Sequence, residues 1–150
     1  MAGPIEFGGE MGFEVAPEKL YALLTDLDAM AATIPDLVSA QKVDESTINC
    51  VVRPGFSFLR GTMKLAISVD RSDPPRRALM TTAAQGIGVL MNVLANLEVE
   101  PDGNGSRLKW TAKVQELKGL IAAVSPGLIT AAANQVIGHT WAEVRKRLEA

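Results

Sequence analysis

The chain has 150 residues, of which 47% are hydrophobic and 21% charged, and its formal net charge at pH 7 is -2. The balance of 15 basic and 17 acidic residues gives no overall positive field to attract nucleic acid, which argues against nucleic-acid binding. We expect a single domain over residues 1–150, which is long enough to bury about 68–70% of its unfolded surface.

The cysteine content limits the chemistry further. Cys50 is the single cysteine, which excludes an internal disulfide and any metal site built on several cysteines. Residues 1–7 lack the basic and apolar segments of a secretory signal, and no apolar run reaches the roughly 18 residues needed to span a bilayer. We therefore expect a cytoplasmic, reduced protein in which Cys50 acts as a small buried hydrophobe.

A strand and two short helices are predicted at the start of the chain. Apolar residues alternate with polar ones and glycine from Met11 to Val15, which is typical of a half-buried strand. Pro17 suits the first position of a helix, because the missing N–H has no partner there in any case. A second short helix, capped by Asp28, is predicted to run through Thr33 and to end at the following Ile-Pro.

Six further strands are predicted between residues 37 and 115, where the apolar pattern keeps a period of two. Pro101 to Gly105 is the clearest hairpin signal, because it is rich in residues that accept positive φ. The Gly86-Ile87-Gly88 segment is interpreted as a bulge or sharp strand bend. It lacks the third glycine and the flanking βαβ pattern of a nucleotide-binding loop.

The pattern changes to a helical period after Ser125-Pro126-Gly127, where a long C-terminal helix is predicted to begin. One face of the sheet needs a cover, and this helix is the candidate. We therefore predict an α+β fold in which a curved antiparallel sheet wraps around the C-terminal helix, with two short helices after the first strand. Such an arrangement encloses a pocket more readily than a flat sandwich does.

Several segments, in this order, are similar to those of the START-like, or polyketide cyclase and Bet v 1, superfamily of helix-grip proteins. Within it the chain most resembles the carbon monoxide dehydrogenase G-subunit family. The segments that carry the resemblance are residues 13–18, 23–26, 34–35, 60–64, 73–78 and 100–108.

This resemblance implies a seven-stranded antiparallel sheet that grips the C-terminal helix around an apolar cavity. It also implies a non-catalytic protein that binds a quinone-like or lipid-like molecule beside a molybdenum-type oxidoreductase. The same resemblance implies a role in carrying that molecule, in assembling the enzyme or in attaching the enzyme to the membrane. It also implies that any membrane contact of this protein is peripheral and on the inner face of the membrane.

The predicted ligand-binding residues are apolar side chains on strand faces that point towards the helix, together with the facing side of the helix. Methionines adapt to varied ligand shapes, and the alanines at 131–133 leave space. The predicted set is Met63, Leu65, Met80, Met91, Val93, Trp110, Ile129, Ala133, Val136 and Ile137.

Two other functions stay open at this level. A cyclase-like or dehydratase-like enzyme would need polar groups that reach the cavity, and His139, Lys64 and Asn92 are the candidates, although the alternation turns Lys64 and Asn92 away from the helix. A pure interaction domain would use Phe56 and Phe58, which either form an exposed apolar tip or tuck under the helix. Leu90 and Leu94 on the outer sheet face suggest a homodimer. We predict no catalytic residue, no metal ligand and no cofactor.

Overall fold

The computed structural model describes residues 5–53, 61–119 and 123–149. Within them, seven strands form one antiparallel sheet in the order β1-β7-β6-β5-β4-β3-β2. The elements in chain order are β1 (Ile5–Phe13), α1 (Pro17–Leu24), α2 (Leu27–Ala31), β2 (Leu37–Asp44), β3 (Thr47–Val52), β4 (Met63–Asp73), β5 (Arg77–Gly86), β6 (Val89–Asp102), β7 (Gly105–Gly119) and α3 (Pro126–Glu149). The predicted helix-grip architecture is confirmed.

The first strand and the two short helices follow the predicted order, but β1 ends at Phe13 and α2 at Ala31, each two residues before its predicted end. Two further differences concern the start of β1 and the cap of α2. β1 begins at Ile5, earlier than the alternation around Met11 indicates, because pairing with β7 extends it along the whole Ile5–Phe13 segment. The cap of α2 is Asp26, whose carboxylate accepts a hydrogen bond of 3.1 Å from the Ala29 N–H. The prediction that Asp28 caps this helix is wrong, because Asp28 already lies inside the first turn.

Both glycine-rich segments are hairpin turns. Gly86 pairs with Val89, so Gly86-Ile87-Gly88 joins β5 to β6 and is not a bulge within one strand. Ile87 adopts a φ of 47°, which is unusual for a β-branched residue. The predicted hairpin at Pro101 to Gly105 is confirmed, since Asp102 pairs with Gly105 across the β6–β7 turn.

Helix α3 begins where the sequence indicates. The Ser125 hydroxyl oxygen accepts a hydrogen bond of 3.4 Å from the Leu128 N–H, which satisfies one of the free donors of the first turn. The predicted apolar stripe faces the sheet, with Val144 and Leu148 buried near the C-terminal end. No helix in the described part of the chain is long and apolar enough to cross a membrane.

The outer face of the sheet carries the two leucines that suggest a homodimer. Leu90 is 39% exposed, and Leu94 is half-buried. Self-association through this face stays a prediction. Phe56 and Phe58, the predicted interaction residues, lie outside the described residues.

Candidate functional site

The inward-facing side chains divide the interior of the fold into a filled part and an open part. In the filled part, α1, α2 and the C-terminal half of α3 pack directly on the sheet. Leu20, Leu108 and Val144 are each 0% exposed there. This half has the close packing of an ordinary protein core.

The open part lies under the N-terminal half of α3. Here four members of a smaller buried cluster, Val52, Met63, Ala84 and Ile129, form part of the wall around a cavity of about 310 Å³. Alanines contribute to the wall from both the sheet and the helix, so the facing side chains do not reach one another. The described lining residues are Phe7, Ile34, Pro35, Asp36, Val52, Met63, Leu65, Thr82, Ala84, Met91, Val93, Ala112, Val114, Ile129, Ala132, Ala133, Val136 and Ile137.

Most of the predicted ligand-binding residues lie in this wall. They are Met63, Leu65, Met91, Val93, Ile129, Ala133, Val136 and Ile137. Met80 and Trp110 do not line the cavity and pack against the filled part instead. Each lies two residues along its strand from a lining residue, Thr82 and Ala112 respectively, and therefore one layer deeper on the same face. Trp110 contacts Trp141 of α3 in that layer, with ring centroids 5.7 Å apart.

Several lining residues were not predicted. Thr82, Ala84, Ala112 and Val114 continue the alternation of predicted inward-facing positions, so the strand pattern contained the signal that could have identified them. Phe7 lies beyond the predicted start of β1. The segment from Ile34 to Asp36 joins α2 to β2, and no periodicity marks a connecting segment as part of a cavity wall.

The chemistry of the wall is almost entirely apolar. Among the described lining residues, Asp36 and Thr82 are the polar side chains, and none is cationic. Asp36 is exposed, so it lies at the rim, and its carbonyl oxygen accepts a hydrogen bond of 3.0 Å from the Arg53 N–H. Its φ of 62° is a conformation that aspartate and asparagine tolerate better than other residues do.

The candidate catalytic groups do not converge on the cavity. Lys64 and His139 are exposed, and neither lines the wall. The Asn92 side-chain amide donates a hydrogen bond of 2.8 Å to the Glu116 carboxylate on the outer side of the sheet. No group of three or more potential metal-ligating side chains forms a site within the described residues.

Cys50 lies on β3 and is 1% exposed. Burial raises the pKa of its thiol, because the thiolate would lose its hydration. A buried thiol of raised pKa is a poor nucleophile, in keeping with the expectation that Cys50 packs as a small hydrophobe.

Solved structures share this fold at low sequence identity. A conserved protein from Geobacillus kaustophilus is 17% identical, with a TM-score of 0.87 over 97% of this chain and 95% of that chain. A START superfamily protein from Mycobacterium smegmatis is 13% identical, with a TM-score of 0.71 over 98% of each chain. Ara h 8.0201 is 17% identical, with a TM-score of 0.72 over 97% of this chain and 98% of that chain. At these identities the likeness shows the fold alone.

Comparison with sequences adds the family. No curated protein gives a significant match. The sequence model of the family of the carbon monoxide dehydrogenase G subunit (CoxG) matches residues 9–149. Because this match spans nearly the whole chain, the protein belongs to the carbon monoxide dehydrogenase G-subunit (CoxG) family.

Proposed function

We propose that this protein binds a hydrophobic small molecule, of the quinone or lipid type, in the cavity under α3 and carries it without changing it chemically. The observation that supports the proposal is the apolar wall around about 310 Å³ of open space. A natural core is normally packed without voids of this size, since each one forfeits stability. A cavity of this volume lies at the lower end of the usual range for small-molecule sites.

The same wall argues against a reaction in the cavity. General acid–base or nucleophilic catalysis needs at least two polar groups that meet at the reacting atoms. Asp36 at the rim and Thr82 within the wall are separate from one another, and no described histidine, lysine or cysteine lines the cavity. Binding and release of an apolar molecule require none of these groups.

Membership of the family suggests a partner enzyme. We propose that the molecule is carried for an oxidoreductase of the carbon monoxide dehydrogenase type, either during electron transfer or during assembly or membrane attachment of that enzyme. A tagged form of the protein is expected to co-purify with such an enzyme from cells that express both. Failure to co-purify, even after chemical cross-linking, would argue against this partner and leave ligand binding in the cavity untouched.

Native mass spectrometry tests the carrier function. The protein is purified from its source cells under mild conditions, and organic extraction then identifies any bound species. We expect a stoichiometric, neutral, lipid-like molecule. Ala133→Phe, which places a ring in the cavity, should lose it. Ala131→Phe is the matched control, because Ala131 is exposed on the same helix and lies outside the wall. An unliganded mass in the wild type that does not change on addition of quinones would contradict the proposal.

A further inference from the structure

The two polar side chains of the wall lie at opposite ends of the cavity. Asp36 adjoins Arg53 at the end of β3, where Val52 pairs with Met63. Thr82 lies further along the sheet, where it pairs with Ile67 of β4. The four steps along β4 from Met63 to Ile67 span roughly 13 Å at ~3.3 Å per step. The stretch between the rim and the Thr82 hydroxyl is lined by hydrocarbon.

The volume sets the size of what can enter. About 310 Å³ holds roughly 10–15 non-hydrogen atoms at ~20–30 Å³ each. Two fused six-membered rings fit this range, whereas a long isoprenoid or acyl chain does not fit as a whole. A larger amphiphile must therefore leave part of its length outside the rim.

The deep position of Thr82 indicates which part enters. A hydrocarbon tail packed against Thr82 would leave the hydroxyl without a partner in an apolar setting, which is unfavourable. A ring that carries an oxygen atom would accept a hydrogen bond from the hydroxyl. When the ring enters first, the Thr82 hydroxyl therefore has a hydrogen-bond partner. The tail of the ligand then extends out of the cavity past Asp36.

The wall and the rim together determine which ligand charge the cavity favours. A carboxylate head group could not move into the cavity, because the described wall offers it no cation and burial of an unpaired charge is very costly. If the same head group stayed at the rim, it would face the Asp36 carboxylate. An anionic amphiphile is disfavoured at both ends.

We infer that Asp36 and Thr82 set the ligand selectivity of this cavity: it takes a neutral, oxygen-bearing ring inwards, with Thr82 hydrogen-bonded to the ring oxygen and Asp36 excluding anionic amphiphiles. This inference rests on the proposed carrier function and adds to it the charge and orientation of the ligand.

Calorimetric titration with three probes of one ring size tests the inference. Dimethylnaphthoquinone has two carbonyl oxygens on its ring and, because both quinone carbons carry methyl groups, no free position for attack by a thiol. Dimethylnaphthalene has the same carbon skeleton without oxygens. The methylnaphthoate anion carries a carboxylate. The wild type should bind the quinone most tightly and methylnaphthoate at least tenfold more weakly. Thr82→Val should weaken binding of the quinone about three- to tenfold, whereas binding of the hydrocarbon should not weaken, because no hydroxyl is then left without a partner. Thr81→Val, which changes the exposed neighbour on the other face, should alter neither.

Asp36→Asn tests the rim. Asparagine accepts the same positive φ, so the backbone should be retained. Binding of methylnaphthoate should improve about three- to tenfold at low salt, and the gain should shrink at high salt because the rim is exposed to solvent. Quinone binding should change less than methylnaphthoate binding does, because the quinone carries no charge.

The outcomes separate the two proposals. If the hydrocarbon and the quinone bind and the two substitutions have the stated effects, the inference is supported. Binding of all three probes with equal affinity, unaffected by Thr82→Val or Asp36→Asn, would overturn the inference and leave the carrier function standing. Failure of the wild type to bind any probe would overturn both.

Discussion

Val136 and Val144 are the same residue type on the same helix, in different surroundings. Val144 is 0% exposed and packs in the filled part of the interior, whereas Val136 faces the cavity. A side chain beside empty space has fewer neighbours to lose when it is shortened. Substitutions at these two positions therefore show whether close packing ends between them.

Val144→Ala is expected to lower the free energy of unfolding by about 2 kcal/mol, the cost of lost burial plus the void left behind. Val136→Ala should cost less than about 1 kcal/mol, since the void already exists there. Urea denaturation measures both. Equal losses at the two positions would show that the interior under Val136 is packed as tightly as the rest.

The buried thiol of Cys50 makes stability depend on pH at alkaline values. Burial raises its pKa above the ordinary value of 9.0, so above about pH 9 the unfolded chain releases this proton while the folded chain keeps it. Stability must then fall as the pH rises, with a slope of up to about 1.4 kcal/mol per pH unit from this group. Below that range both states keep the proton, and Cys50 contributes no pH dependence.

Cys50→Ala should reduce this alkaline slope, although it also loses some packing at every pH. Tyr21 contributes in the same direction in both proteins, because burial raises the pKa of its hydroxyl as well. The comparison is therefore between the slopes of stability against pH and not between absolute stabilities. Rapid reaction of the native thiol with a disulfide reagent at neutral pH would contradict the buried position.

At the level of secondary structure, side-chain contacts hold the C-terminal half of α3 against the end of β1. The Arg145 guanidinium donates to the Gly12 carbonyl oxygen at 3.0 Å and lies 4.7 Å from the centre of the Phe13 ring. The Glu149 carboxylate accepts a hydrogen bond of 3.1 Å from the Glu14 N–H and also contacts Arg145. These contacts hold the helix where the interior is filled, while its N-terminal half passes over the cavity.

Arg145→Ala is expected to destabilise the protein by about 1 kcal/mol, because it removes a cation–π contact and a charged hydrogen bond that are both partly exposed. Hydrogen exchange of the amides in the last turns of α3 should accelerate. Lys146→Ala, at an exposed neighbouring position with a single surface ion pair, should change stability by less than about 0.5 kcal/mol. Equal losses of stability from the two substitutions would argue against the conclusion that Arg145 holds α3 against β1.

The elements were largely predictable because their signals are local. Period-two alternation identifies the inner face of β4 to β7, and the helical stripe from Ile129 to Leu148 identifies the covering face of α3. The depth of the cavity floor is not a local property. Met80 and Trp110 obey the same alternation as Thr82 and Ala112, yet they lie below the floor, whose position depends on the summed volumes of side chains from several elements.

At the scale of the whole molecule, ligand binding should stabilise the fold. A ligand at about 100 times its Kd adds about 2.7 kcal/mol, which corresponds to a rise in Tm of roughly 5–10 °C for a domain of this size. Wild type and Ala131→Phe should show this rise with dimethylnaphthoquinone. Ala133→Phe should not, while remaining folded without ligand. An equal rise in Ala133→Phe would place the binding site outside the cavity.

A crystal structure of the wild-type protein under xenon pressure tests the open interior most directly, because xenon enters apolar cavities without needing polar partners. The predicted result is xenon density between Met63 and Ala84 of the sheet and Val136 of α3, with none in the filled part around Leu108 and Val144. The contradicting result is an interior without xenon, in which side chains occupy the space under the N-terminal half of α3.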